Sequence, residues 1–341
     1  MNRDDVSTRR LSRRETAALR RLVVRAVALS DRPDPDDELA ALAADAPLGA
    51  LPDAAWEHRL SGTLERSLRR VPAVPADVLD ELRADAEQGG LSGLVHLAAL
   101  REVGSAFDRE GISWLTMKGP VLAHHLYTRP CDRHYADLDL LVDRQDFQAA
   151  VEVLEGLHYE HSIHNWRLAE EMLAGEIELT TDVTRVDLHW HLHYSSIDRE
   201  RTSLVPDEML ERVRHVELAG QRVPTFDVVD TTLNLAYHAA RSDGHRLIWL
   251  KDLERSLAVE APDLDDVRAT LRDSGLQGVA VTTFGDTDDR EIAVRVALPP
   301  EADGAESGEA GRDLAKQVVD ALEGPEVLQK KAEGMLDLNV T

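Results

Sequence analysis

Asp137 and Asp139 stand two residues apart in the stretch Arg133-His134-Tyr135-Ala136-Asp137-Leu138-Asp139-Leu140-Leu141-Val142. Side chains alternate along a strand, so both carboxylates point to one face while Leu138, Leu140 and Val142 point to the other. Two charges on one face with apolar neighbours make a seat for a divalent cation. A third carboxylate, Asp187, lies near the start of another extended run. There Val186, Leu188, Trp190 and Leu192 alternate with Asp187, His189, His191 and His193. If the two runs are sheet neighbours, Asp137, Asp139 and Asp187 converge. Three carboxylates can hold two Mg2+ ions about 3.5–4 Å apart, which neutralise phosphate charge and align an attacking hydroxyl. Such ions keep several waters and need only a few carboxylate ligands each, and Mn2+ suits the same oxygen donors.

The elements that must position these groups can be read around them. Ile112–Met117 is a short apolar strand, Lys118-Gly119 a turn, and Pro120 suits the first position of a helix running to about Tyr127. A glycine between strand and helix lets the backbone approach a phosphate, and the helix start offers free N–H groups. Lys118 and Arg133 could add positive charge to a triphosphate, and His189 could support Asp187 or a phosphate. The histidine strip allows another reading, a zinc-dependent hydrolase using His189, His191 and His193, since imidazole suits zinc. Four side chains along one strand span about 20 Å, however, so at most two of the strip could share one ion. His238, Arg246, Lys251 and Asp252 fall in a helical stretch, where core packing or surface pairing competes with a role for Arg246 or Lys251 facing a nucleotide.

The wider chain sets bounds. Its 341 residues allow two domains or one extended one, and 43% apolar residues suffice for a core. No apolar run is long enough for a membrane span, and the first residues lack a signal peptide's apolar stretch. The single cysteine, Cys131, fits a reducing cytoplasm. The formal charge of −25 argues against broad nucleic-acid binding, which needs clustered basic residues. Of 39 basic residues only Lys118, Lys251, Lys316, Lys330 and Lys331 are lysines. Abundant Asp and Glu with scarce Lys look like the proteome of a salt-loving, halophilic organism, in which salt screens the self-repulsion.

Along the chain, residues 1–110 read as mostly helical: Ser12 and Glu15 are spaced as a capping box, and further patterns cover 37–45, 53–70, 76–88 and 92–110. Residues 111–200 hold the carboxylates, in strands Ala136–Val142, Glu176–Thr180 and Thr184–His193. Residues 201–275 are mainly helical, with one short strand. Residues 276–341 suggest a hairpin (Gly278–Phe284 with Glu291–Ala297), an acidic linker over Pro299–Gly311 and a last helix over about 312–323.

The ordered set Lys118-Gly119, Leu126-Tyr127, Arg133, Asp137-Leu138-Asp139-Leu140-Leu141-Val142 and Val186-Asp187-Leu188-His189-Trp190 resembles the uncharacterised nucleotidyltransferases of the polymerase β-like superfamily. The stretch Arg246-Leu247-Ile248-Trp249-Leu250-Lys251-Asp252-Leu253 is similar to that family's helical region, and the resemblance covers roughly residues 56–260. It implies an α/β (α+β) fold with a small mixed sheet, flanked by helical N-terminal and C-terminal regions. It implies a nucleotidyltransferase moving a nucleoside monophosphate from an NTP to a hydroxyl. Asp137, Asp139 and Asp187 would be catalytic and metal-holding, with Lys118, Gly119, Arg133 and His189 on the nucleotide. The acceptor could be a small molecule, a protein side chain or an RNA end. A catalytically silent nucleotide-binding or regulatory protein of the same fold is the other class.

Overall fold

The computed structural model describes residues 11–31, 37–161, 175–193, 199, 206–242 and 246–274. The expected hairpin, linker and helix between 276 and 341 lie outside the described residues. Helices α1 (Arg13–Ala28), α2 (Asp37–Asp45), α3 (Leu51–Glu57), α4 (Ser61–Leu68) and α5 (Ala76–Glu110) lead into the sheet. Strand β1 (Trp114–Thr116), helix α6 (Pro120–His125), strand β2 (Leu138–Val142) and helix α7 (Phe147–Gly156) follow. Next come β3 (Glu176–Thr180), β4 (Arg185–His189), α8 (Pro206–Glu211), β5 (Arg214–Leu218) and β6 (Gln221–Thr225). Helices α9 (Val228–Arg241), α10 (Leu247–Val259) and α11 (Leu264–Asp273) close the described chain. Among these residues no helix is long and apolar enough to cross a membrane.

The α/β architecture is a six-stranded mixed sheet in the order β3-β4-β2-β1-β6-β5. Strand β2 runs antiparallel to β1 and parallel to β4, and β1 pairs in parallel with β6. The last two strands come from a hairpin over residues 214–225, where one short strand was expected. Its two-residue turn, Ala219-Gly220, has φ of 48° and 77°, the pair of positive values that matches the twist of a tight hairpin. Ala-Gly is a weaker written signal for that turn than Asn-Gly.

Two apolar layers flank the sheet. On one face, Leu138, Leu140, Val142, Val186 and Leu188 pack with Leu100, Val103 and Phe107 of α5 and Ala150, Val151 and Leu154 of α7. On the other, Leu115 and Leu141 join a core built from α1–α4, α6 and α9–α11. The capping box at α1 is formed: the Glu15 amide donates to Ser12 Oγ (3.3 Å) and the Ser12 amide to Glu15 Oε2 (2.9 Å).

Helix α5 departs from expectation. The sequence suggests helices over 76–88 and 92–110, broken at Gly89-Gly90, but one helix of 35 residues runs through. Tertiary packing overrides glycine's poor helix propensity, because the loop before β2 lies directly against this segment. A Cβ on Gly89 would meet the His134 ring at 3.2 Å, and one on Gly93 would meet Tyr135 Oη at 3.2 Å. Tyr135 Oη donates to the Gly93 carbonyl at 3.0 Å. Near the helix end, a Cβ on Gly104 would lie 2.5 Å from Trp114 of β1.

Glu260 ties three elements together at the end of α10. Its carboxylate accepts from Arg214 (2.5 and 2.7 Å) and contacts His125 Nε2 at 2.7 Å. Burial pushes this carboxyl up, but the bonds to His125 and Arg214 outweigh it and hold it at about 2.

Two outcomes follow for stability. Gly104→Ala drives the added Cβ into the Trp114 ring and is expected to cost about 1–3 kcal/mol in denaturant unfolding. Gly156→Ala, with nothing within 4 Å of the added Cβ, serves as the near-neutral control. Glu260→Gln should be less stable than the parent, with the gap full above pH ~4.5 and shrinking as pH falls toward 2. A carboxyl whose folded value is depressed stabilises only while it is ionised. A gap independent of pH would show that the Glu260 charge does not act as described.

Candidate functional site

The parallel β2–β4 register sets Leu138 against Val186, Asp139 against Asp187 and Leu141 against His189. With Asp137 two residues before Asp139, the carboxylates of Asp137, Asp139 and Asp187 share one face. Arg185 and His189 of β4 stand on that face, as do Glu176 and Glu178 of β3, paired with His189 and Asp187 respectively.

Asp139 is 6% exposed and sits at the centre. Lys118 Nζ lies 2.9 Å from its Oδ1, and His189 Nε2 lies 3.6 Å from the same oxygen. Burial alone would push this carboxyl up, yet the Lys118 and His189 charges hold it well below the usual carboxylate range. His189 contacts Glu176 Oε2 through Nδ1 at 2.9 Å. Burial disfavours its charge, but Asp139 and Glu176 prevail and raise it to about 9, so the ring carries a proton at neutral pH. Asp187 has the opposite environment. Burial and the negative charges of Asp139 and Asp137 push its carboxyl up to about 7.

Arg185 was not among the expected residues. Its guanidinium donates to Asp137 Oδ2 at 2.8 Å, and lies 3.4 Å from Glu178 and 3.9 Å from Asp187. The signal was in the sequence: Arg185 precedes Asp187 by two, so the alternation that selected Asp187 also places Arg185 on the acidic face.

Gly119 has φ 57° and ψ −120° and caps the six-residue helix α6, a conformation that L side chains rarely adopt. A Cβ there would lie 3.2 Å from the Asp137 carbonyl, so the turn lies against the strand entry that bears the first carboxylate. Lys118 is held on Asp139. Arg133, read from sequence as a triphosphate contact, is buried, and its Nε and Nη2 donate to Asp252 at 2.7 Å each. Its Nη1 reaches the Gly119 carbonyl at 3.4 Å, and Tyr127 Oη donates to Asp252 Oδ1 at 2.7 Å. Arg133 thus braces the turn from behind and ties it to α10. Lys251, weighed as a residue facing a nucleotide, is buried and paired with Asp31 at 2.8 Å and Glu254 at 2.5 Å.

The histidine strip does not continue along the strand. Strand β4 ends at His189, because the amides of Trp190 and His191 both turn to the Gly175 carbonyl (2.9 and 3.2 Å). His191 Nδ1 accepts from the His193 amide at 3.0 Å, and His193 Nδ1 pairs with the Tyr237 hydroxyl. The three rings therefore do not share one strand face as the alternation suggested.

The profile of the uncharacterised nucleotidyltransferase family matches residues 46–284. This chain belongs to that family. No curated protein matches it. Among solved structures, the chain is similar to ANT(2'')-Ia in complex with adenylyl-2''-tobramycin, at 12% identity and TM-score 0.37, over 52% of this chain and 97% of that one. It is similar to the lincomycin-bound lincosamide antibiotic adenylyltransferase LnuA, at 16% identity and TM-score 0.32, over 49% and 96%. It is also similar to an antigenic nucleotidyltransferase-like protein from Paracoccidioides brasiliensis, at 14% identity and TM-score 0.32, over 49% and 75%.

In this nucleotidyltransferase family member, the acidic face can be tested for a divalent cation. Among the described residues no group of three or more His, Cys, Asp or Glu is gathered closely enough to hold an ion. Asp139 is turned to Lys118 and Asp137 to Arg185. The donors nonetheless suit a hard cation: three carboxylates on one face, one of them destabilised as an anion by the other two. Asp187 Oδ1 is buried with no hydrogen-bond partner among the described residues, and such an atom needs a cationic or proton-bearing neighbour. Lys118 and Arg185 supply the positive charge meanwhile.

Lys118→Ala leaves the Asp139 carboxylate buried with His189 alone. It is expected to lower stability by about 1–3 kcal/mol, read as a drop in Tm. Added MgCl2 should then raise the variant's Tm more than the parent's. Equal shifts in both proteins would count against a cation site at Asp139.

Proposed function

We propose that this family member is a Mg2+-dependent nucleotidyltransferase that moves a nucleoside monophosphate from an NTP to a hydroxyl-bearing acceptor. The observation that carries the reading is the register that sets Asp139 directly beside Asp187, with Asp137 on the same face and the Gly119 turn against it. Asp137, Asp139 and Asp187 would hold the cation, with Mn2+ able to replace Mg2+ at the same oxygens. Bound there, the ion supplies charge neutralisation on the reacting phosphate.

The chain's own groups supply the rest. The acceptor oxygen attacks the α-phosphorus, a new P–O bond forms, and the bond from that phosphorus to the bridging oxygen breaks. Pyrophosphate leaves with the electron pair, and the acceptor's proton passes to the Asp187 carboxylate. Asp187 Oδ1 makes no hydrogen bond among the described residues, which supports a role in receiving that proton. The Gly119 turn brings backbone close to the phosphates, and protonated His189 fixes Asp139 in position.

The net charge of −25 repels a polyanion, so an acceptor that is a small molecule fits this chain better than an RNA end. The same geometry without turnover would make a silent nucleotide-binding protein, and the experiment separates the two. The full-length chain is incubated with Mg2+, labelled NTPs and small-molecule extract, and compared with Asp137→Ala/Asp139→Ala. The parent is expected to transfer label and the double variant to lose at least about a thousandfold of that rate. Equal transfer by both proteins refutes the site. Nucleotide binding without transfer by the parent supports the silent alternative.

A further inference from the structure

Two arginines that the transfer step above leaves unused, Arg59 and the Arg246 weighed from sequence as facing a nucleotide, stand near each other, with Arg59 in electrostatic reach of Asp137. Arg59 occupies the turn between α3 and α4 with φ of 58°, a left-handed conformation that a bulky residue adopts at a cost and that clusters at functional positions. The turn is wedged between two parts of the site. The His134 amide donates to the Arg59 carbonyl at 3.2 Å, three residues before Asp137. The Leu247 amide donates to His58 Nδ1 at 3.4 Å, at the first residue of α10. The Trp56 ring lies 4.8 Å from that of His134, completing the wedge. Arg246, the N-cap of α10, therefore flanks the same turn, and its guanidinium stands 5.8 Å from the Trp249 ring centre.

Both guanidiniums are half-buried, and among the described residues neither has an ion pair or a hydrogen bond to a carboxylate. Burial works against the Arg59 charge, Asp137 favours it, and Arg246, Arg133 and Arg185 oppose it. Arg59 stands within electrostatic reach of three other guanidiniums in a chain of net charge −25, and of those three Arg133 and Arg185 are paired with carboxylates while Arg246, among the described residues, is not. The cations that sequence assigns to a triphosphate are otherwise committed, Lys118 to Asp139 and Arg133 to Asp252. An uncompensated pair of guanidiniums presents the fork that matches phosphate oxygens.

We propose that Arg59 and Arg246 seat the β- and γ-phosphates of the nucleotide, on the side of the site formed by Asp137 and the Gly119 turn. This rests on the nucleotidyl-transfer reading, and it assigns the leaving pyrophosphate to a region outside the sheet. One arginine comes from the N-terminal helices and the other from α10, so the polyphosphate bridges the two. The acceptor is thereby left the opposite side, by Asp187 and Arg185.

The test is equilibrium binding of tripolyphosphate and of each of the four common NTPs to the full-length chain with Mg2+. The variants are Arg59→Gly, Arg246→Gln and, as a surface control on α11, Arg268→Gln. Glycine accepts a φ of 58° without strain, so Arg59→Gly removes the guanidinium while favouring the backbone of the turn. Arg59→Gly and Arg246→Gln should each weaken tripolyphosphate and NTP binding by about tenfold to a hundredfold. Arg268→Gln should leave binding unchanged, and Tm should be kept in all three. If the parent binds an NTP and both site variants bind it equally well, the arginine seat is overturned and the transfer reading stands. If the parent binds neither tripolyphosphate nor any NTP, both fall together.

Discussion

The parallel pairing of β2 with β4 is the constraint on which the site depends. Because strand side chains alternate, a slip of one residue would carry Asp187 and His189 into the layer now filled by Leu100, Phe107 and Leu154. The apolar side enforces the register: Leu138, Leu140, Val186 and Leu188 are all fully buried, and none could be exchanged for a charge. The acidic face is positioned by the burial of its opposite face.

On that frame the protein resolves an electrostatic problem. Three carboxylates brought together would repel, and burial would favour their neutral forms. Lys118, Arg185 and protonated His189 answer this within one layer of side chains, Lys118 and His189 on Asp139 and Arg185 on Asp137. Glu176 in turn secures His189. Behind the layer, Arg133 and Asp252 form a buried bidentate pair that connects the Gly119 turn to α10. Breaking such a pair on one side leaves an uncompensated charge in the interior, so α10 and the turn keep a fixed relation.

Much of this was readable in the sequence. The Asp-x-Asp pattern with flanking leucines fixed which face of β2 is polar, and the glycine after Lys118 marked the turn. The capping box at Ser12 was written locally and formed as written. What escaped was decided by distant contacts. Gly89 and Gly90 look like a helix break, but their missing side chains make room for the loop bearing His134 and Cys131. Arg133 looks like a free cation until Asp252, 119 residues later, is folded against it. The histidine alternation is regular on paper, yet Gly175 captures the backbone at Trp190 and ends the strand. Arg59 carries no local signal at all, since its position is defined by the loop and the helix on either side of it.

The long helix α5 has a mechanical consequence. Its 35 residues make a rod about 52 Å long. Its N-terminal part, through Val78 and Leu82, packs in the core of the N-terminal helices, and its last turns roof the apolar side of the sheet. Between them, Gly89 and Gly93 grip the loop that feeds β2. A single stiff spar therefore spans both cores and the entry to the site. The two cores cannot rotate against each other without bending it, so any movement at the acidic face falls to shorter elements, and melting one core pulls on the other.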